Sequence, residues 1–343
     1  MPTVRVFLCT YRRPHLLRRA LSSLLAQTHR DWICELHNDA PDDDTPRTIL
    51  RELAPGDPRF AYHAHPRNWG AIATFNHAFA GGAEPYAALL EDDNWWDAAF
   101  LHTAVAALAP RPDASLVWAN MRLWQERPDG TWQDLDRTIW NCAPASPAVL
   151  EFRSPELLQA FDALHSNGAM VYRPRAFRVS TVPVQLPFAI IEVARERAAT
   201  GPLLLLTTPL AHFALTLTSA RDADPGRWLQ AKLLIAASFF THISCSADSL
   251  ARLWALRRTQ KPRDTALFIC LALALRDTRF IRAARPRDWL HFLLSSVRHP
   301  LCLIRGLRFR SDKPEAWAWL LAQTRASPTA AARTTLLTKQ IPP

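Results

Sequence analysis

The sequence predicts an α/β protein with a mostly parallel sheet, helices on both faces, and a helical extension at the C-terminal end. Three observations predict it. Short apolar runs alternate with helical-period segments through the front of the chain. Polar or acidic residues end several of those runs, the edge at which parallel sheets bind ligands. Charge is also unevenly divided: residues 221–343 carry 21 Lys and Arg against 8 Asp and Glu, whereas the first 220 carry 20 against 23. A near-neutral front and a basic back suggest two jobs.

The elements follow in order. Residues 3–8 are β-branched and apolar and read as a first strand. A turn over 9–14 leads to a helix over 15–27, where Leu16, Leu17, Ala20, Leu21, Leu24 and Leu25 recur at helical spacing. Residues 32–37 form a second strand ending in Asn38 and Asp39, and polar residues 42–45 open a helix that ends near Leu53. A short strand over 60–63 runs into Asn68, Trp69 and Gly70, then a helix over about 71–80. After the turn residues Gly81 and Gly82, residues 86–90 are a buried strand that stops at Glu91, Asp92 and Asp93. A helix over 99–109, a strand over 114–119, a looser Trp- and Pro-rich flap or acceptor loop over 124–147 and a helix over 157–161 complete the series.

Three consecutive acids behind a buried strand are costly unless protons or a cation neutralise them. A hard divalent ion, Mg²⁺ or Mn²⁺, takes such oxygen ligands and commonly bridges substrate phosphates; the plainer alternative is a solvated acidic turn. Thr10–Tyr11, Asp39 and Asp92–Asp93 all fall at strand ends, so separate features point at one crevice. Trp95 and Trp96 read as packing residues before sugar platforms, and Arg12 and Arg13 as solvated or as partners of a diphosphate.

The order of Thr10, Tyr11, Arg12 and Arg13, then Asn38–Asp39, then Asn68-Trp69-Gly70 with Asn76, then Glu91-Asp92-Asp93-Asn94 resembles the family-2 glycosyltransferases of the GT-A fold, over roughly residues 3–215. The resemblance implies a nucleoside-diphosphate sugar donor bordered by Thr10, Tyr11 and Arg13, with Asp39 on the base and Asn68, Gly70 and Asn76 lining the nucleotide side. It implies Mn²⁺ or Mg²⁺ on Asp93 with Asp92 or Glu91, Asp92 also lying against the nucleotide sugar. Glu91 departs from the Asp that often opens this motif. The family's catalytic base is usually the Asp of a Glu-Asp pair, and residues 187–197 contain no such pair. Glu192 is the nearest candidate for taking the acceptor proton, although helix register leaves Ile190 and Ile191 in that place; His165 is the fallback and reads equally as a structural histidine. The implied reaction is a metal-dependent inverting transfer to an acceptor hydroxyl in surface polysaccharide or glycan assembly, the acceptor being a glycan, a lipid-linked glycan or a protein. The alternative is a non-catalytic module that binds nucleotide sugar or glycan. A nucleotidyltransferase is disfavoured because residues 9–14, where a phosphate loop would lie, contain no glycine.

The domain reading is a catalytic domain over 1–220, a basic helical extension over 221–326 and a disordered tail over 327–343. Proline breaks at Pro262, Pro286, Pro300 and Pro314 separate the helices of the extension. Residues 289–298 and 301–310 mix Trp or Phe, Leu and Arg, a pattern suited either to an anionic membrane surface or to a solvated basic face. No nucleic-acid motif accompanies the charge, so nucleic acid is not an expected partner. Six scattered cysteines without a Cys-x-x-Cys pair point to a reducing compartment. With no signal-peptide pattern and no apolar run near the roughly 18 residues that span a bilayer, the expected location is cytoplasmic, with peripheral contact at the inner face of the membrane.

Overall fold

A computed structural model describes residues 2–142, 146–152, 166–199, 202–217, 233–234, 247–260, 265–275 and 278–325. The chain divides into two compact units, Met1–Val184 with Ala194–Arg221, and Gln185–Val193 with Asp222–Pro343.

The first unit is built on β1 (Val4–Thr10), α1 (Pro14–Leu25), β2 (Trp32–Asn38), α2 (Thr45–Leu53), β3 (Phe60–Ala64), α3 (Ala71–Ala80), β4 (Tyr86–Glu91), β5 (Trp95–Trp96), α4 (Phe100–Leu108), β6 (Leu116–Glu126), β7 (Trp132–Thr138), β8 (Val149–Phe152) and β9 (Met170–Tyr172). Helix α5 (Ala189–Ala198), whose residues 189–193 belong to the second unit, and β10 (Leu203–Leu215) follow. The strands form one sheet in the order β3-β2-β1-β4-β9-β6-β10-β5, with β7 on β6 and β8 on β10. β9 is antiparallel to both β4 and β6, and β10 is parallel to β6, so β1, β2, β3, β4, β6 and β10 all run one way.

Strand alternation decides which side chain meets which layer. Val4, Val6 and Leu8 of β1 are fully buried and pack with Leu17, Ala20, Leu21 and Leu24 of α1 and Leu101, Ala104 and Leu108 of α4. Arg5, Phe7 and Cys9 face the other way, where Phe7 meets His77 of α3 edge-on at 5.6 Å. In β2, Glu35 and His37 share the α3 side. Parallel register sets Thr10 against Asn38 and Cys9 against Glu91, bringing the ends of β1, β2 and β4 together.

Over residues 124–138 the chain is strand and hairpin where the composition suggests a loop. β6 continues to Glu126, and β7 pairs back on it through a turn closed by Arg127 N–H to Thr131 O at 2.9 Å. Gly130 takes φ 80°, the left-handed conformation that an Asp-Gly hairpin turn needs. The helix expected over 157–161 lies outside the described residues.

The second unit is helical where described: α6 (Ala247–Gln260), α7 (Ala266–Leu275), α8 (Arg279–Arg282), α9 (Pro286–Arg298), α10 (Pro300–Leu307), α11 (Phe309–Asp312) and α12 (Pro314–Arg325). Three of the four prolines that break the sequence pattern, Pro286, Pro300 and Pro314, open helices α9, α10 and α12, because the first helical position needs no N–H donor; Pro262 lies outside the described residues. Trp254 and Phe268 pack edge-on at 4.7 Å between α6 and α7. Among the described residues no helix is long and apolar enough to cross a membrane.

Candidate functional site

The three acids at the end of β4, Glu91, Asp92 and Asp93, are balanced in three different ways. Glu91 Oε2 accepts from Ser166 Oγ at 2.5 Å, from Asn94 Nδ2 at 2.8 Å and from the Gly168 N–H at 3.2 Å. It therefore holds the 166–168 turn, and Trp96 Nε1 donates to Gly168 O at 2.6 Å from the other side. Asp92 is fully buried: Thr10 Oγ donates to its Oδ2 at 2.8 Å, and an Arg13 guanidinium nitrogen lies 2.5 Å from its Oδ1. Burial, with Asp93 alongside, pushes Asp92 up to about 7 against the opposing pull of Arg13 and Thr10. Asp93 is half-buried, and its Oδ2 accepts from Arg13 Nη1 at 2.9 Å.

Arg19 reaches from α1 to donate to the Asp93 carbonyl at 2.9 Å. Its guanidinium lies 3.7 Å from the Trp95 ring centroid and 3.8 Å from that of Trp132, and burial pulls it down to about 10. Trp95 also stacks on His212 at 4.8 Å, so an aromatic wall stands beside Asp93. Trp96, by contrast, is a core residue.

Asp39 is held by the loop before α3. Its Oδ1 accepts from the Trp69 N–H at 2.6 Å and lies 2.9 Å from His65 Nδ1, while its Oδ2 accepts from the Gly70 N–H at 2.9 Å. A carboxylate offers about four acceptor positions, so Oδ2 retains one for a further donor. Tyr11 and Trp69 are exposed aromatics on the turns that flank this carboxylate in sequence.

The strand ends thus gather Thr10, Tyr11, Arg13, Asp39, Gly70, Asp92 and Asp93 at one edge. Asn68 is exposed on the loop beside Gly70. Asn76 has a different employment: its Nδ2 donates to Val182 O at 2.8 Å and its Oδ1 accepts from Val182 N at 2.9 Å. His165 lies outside the described residues. Glu192 lies in the first turn of α5 and belongs to the second unit. Arg19 and Trp132 carry no motif in the sequence. An arginine on an amphipathic helix gives no cue that it reaches a strand end, and Trp132 needs the hairpin register to arrive there.

For a divalent ion, the donor set fits through Asp93. Among the described contacts nothing engages its Oδ1, and it lies at a strand end beside two arginines suited to phosphate oxygens. Glu91 Oε2 is shared among three donors and Asp92 is enclosed, so Asp93 is the acid best placed to offer an oxygen.

A mostly parallel sheet whose adjoining strand ends present Asp39 and an Arg-clasped acidic motif defines a GT-A glycosyltransferase fold. The chain belongs to glycosyl transferase family 2, whose profile matches residues 5–176. No curated protein matches it in sequence. Among solved structures it is similar to Staphylococcus aureus TarS 1–349 in complex with UDP-GlcNAc, at 13% identity over 91% of this chain and 92% of that one, TM-score 0.52. The same protein in complex with UDP is similar at 15% identity over 94% and 91%, TM-score 0.50. At these identities the likeness shows the fold.

Proposed function

We propose that the protein transfers a hexose from a nucleoside-diphosphate sugar to an acceptor hydroxyl with inversion, in glycan or surface-polysaccharide assembly. The observation that supports this most is the geometry at Asp93: a carboxylate with Oδ1 left over, clasped by Arg13, at the edge where Asp39 retains one acceptor position. The TarS structures hold UDP-GlcNAc or UDP on a similar fold, which makes UDP-sugars the first donors to test.

Asp93 would hold Mn²⁺ or Mg²⁺, and the ion when bound supplies Lewis acidity to the leaving diphosphate. Thr10 and Arg13 fix Asp92 so that the 91–93 turn keeps its shape. Arg13 places positive charge next to the diphosphate, and Asp39 accepts from the base. Glu192 is the proposed base for the acceptor hydroxyl.

The second unit supplies a surface for an anionic membrane. Leu290, Leu293, Leu294 and Val297 lie along one side of α9 and are exposed, as are Leu301 and Ile304 of α10. Arg287, Arg298 and Arg305 are exposed on the same helices. An apolar stripe flanked by arginines suits the interface of anionic lipid. Flotation with anionic vesicles tests it: wild type should float and Leu293→Glu/Val297→Glu should not, whereas equal flotation would remove the membrane reading.

The catalytic reading is tested by release of UDP or GDP from their sugars in Mn²⁺ and in EDTA. Metal-dependent release, lost in Asp93→Ala and reduced at least about a hundredfold in Glu192→Gln, supports it. Nucleotide binding without turnover for any donor and acceptor would instead favour a non-catalytic binding module.

A further inference from the structure

A second polar cluster lies on the α3 side of the sheet, away from the acidic motif in sequence. Glu35 and His37 stand on β2, His63 opposite His37 on β3, His65 just after β3, and His77 on α3. They line a cavity of about 390 Å³ with Tyr62 and Trp69. One Glu35 oxygen, Oε1, is taken by Arg5, which also binds Glu84. The other, Oε2, lies 3.2 Å from both His37 Nε2 and His77 Nε2.

Counting hydrogens exposes a deficit. Glu35 Oε2 to His37 Nε2 (3.2 Å), His37 Nδ1 to His65 Nε2 (3.0 Å) and His65 Nδ1 to Asp39 Oδ1 (2.9 Å) form a chain of three contacts. Each needs one hydrogen, both terminal groups are carboxylates, and two neutral imidazoles carry only two N–H groups. The two shorter contacts are satisfied when His65 Nδ1–H donates to Asp39 and His37 Nδ1–H donates to His65. His37 Nε2 then turns a lone pair toward the Glu35 carboxylate. A positive charge placed there, a further proton or a metal ion, removes that conflict.

We propose that Glu35, His37 and His77 bind a borderline divalent ion of the Zn²⁺ class. Their ligand atoms all lie within 4.8 Å of one another. Zn²⁺ bonds of about 2.0–2.2 Å require ligand atoms roughly 3.3–3.5 Å apart, and both Glu35 contacts are already near that spacing. His77 is partly exposed and already lies against the His37 ring at 4.8 Å, so a small ring rotation closes the remaining distance. Two imidazole nitrogens and one carboxylate oxygen suit Zn²⁺ or Co²⁺ over Mg²⁺ or Ca²⁺. Three protein ligands beside a cavity leave a coordination position open to water or a small ligand. The bond from His37 through His65 to Asp39 is the outer support that metal-bound histidines usually have. The site is distinct in ligands and in metal class from the one proposed at Asp93, and it stands whether or not that reading holds.

The test is Zn²⁺ binding to the metal-stripped full chain, measured by competition with a chromogenic chelator, together with the visible spectrum of the Co²⁺ form. Asp93→Ala serves as the background, so that ion binding at the acidic motif does not contribute. The expected result is one tight equivalent of Zn²⁺ on Asp93→Ala, weakened at least about tenfold by the further change His77→Ala or Glu35→Gln, with loss of the Co²⁺ bands. His77 is exposed, so its variant should fold. Absence of a tight equivalent on Asp93→Ala, or affinity unchanged by His77→Ala, would overturn the proposal.

Discussion

The acids after β4 and the histidine cluster on β2, β3 and α3 belong to one sheet and are balanced differently. At the β4 end, Arg13 and Thr10 bring positive charge and hydroxyl to Asp92 and Asp93, and a backbone turn brings N–H and O–H to Glu91. Around Glu35, Arg5 covers one oxygen, while the other faces two imidazoles in a relay that lacks a hydrogen. One cluster is fixed by cations the chain already holds, and the other is completed by an ion it would acquire. The fold around the first should therefore weaken when a protein group is removed, whereas the second reaches its own balance only with a metal bound.

The largest effect expected of a single change is at Arg13. Arg13→Ala leaves buried Asp92 without its ion partner and should cost about 3–5 kcal/mol above about pH 8, where that carboxyl is ionised, read from urea unfolding. A loss below about 1 kcal/mol would mean that Arg13 does not carry the balance.

An acid–arginine pair in the helical unit gives a control with a different consequence for pH. Asp288 accepts from Arg258 Nη2 at 2.7 Å and from the Arg285 N–H at 2.8 Å, capping α9. Burial alone would push its carboxyl up, but the hydrogen bonds and charge of Arg258 and the Arg285 N–H outweigh it and hold it below the usual range. A depressed folded pKa stabilises above the unfolded value, near 3.9, and that stabilisation is lost as pH falls through the folded value. Asp288→Asn should thus cost about 2–3 kcal/mol at neutral pH, and its difference from wild type should shrink under acid. A difference independent of pH would contradict the pairing.

Smaller effects separate the two clusters further. A Cβ on Gly168 would lie 3.0 Å from both Asn94 Nδ2 and Glu91 Oε2. Gly168→Ala should therefore cost about 1–3 kcal/mol and lower turnover, measured by unfolding and by nucleotide release. His77→Ala should change metal-free stability by no more than about 0.5 kcal/mol, because its ring is partly exposed and, among the described residues, its polar partner is Glu35.

The contrast also explains what the sequence revealed. Glu91, Asp92 and Asp93 are adjacent and follow an apolar run, so strand end and acidic cluster coincide in one stretch. Asp39 is legible for the same reason. The histidine cluster is assembled from residues 35, 37, 63, 65 and 77, and seeing it requires the β2–β3 register and the phase of α3. Asn76 stands close to the nucleotide-side motif in sequence, yet helical phase turns its amide to the backbone of Val182. The β6–β7 hairpin reads as a loop in sequence because half-exposed, charge-rich strands lack a clean apolar alternation; Asp129–Gly130 is the available turn signal.

The central claim is that Asp93 and its arginine clasp form the donor site. Isothermal titration of UDP and GDP into wild type and Asp93→Ala, each with Mn²⁺ and with EDTA, tests it most directly. The account predicts metal-dependent binding of one nucleotide to wild type, weakened at least about tenfold in Asp93→Ala. Equal binding to both proteins, or binding indifferent to EDTA, would contradict it.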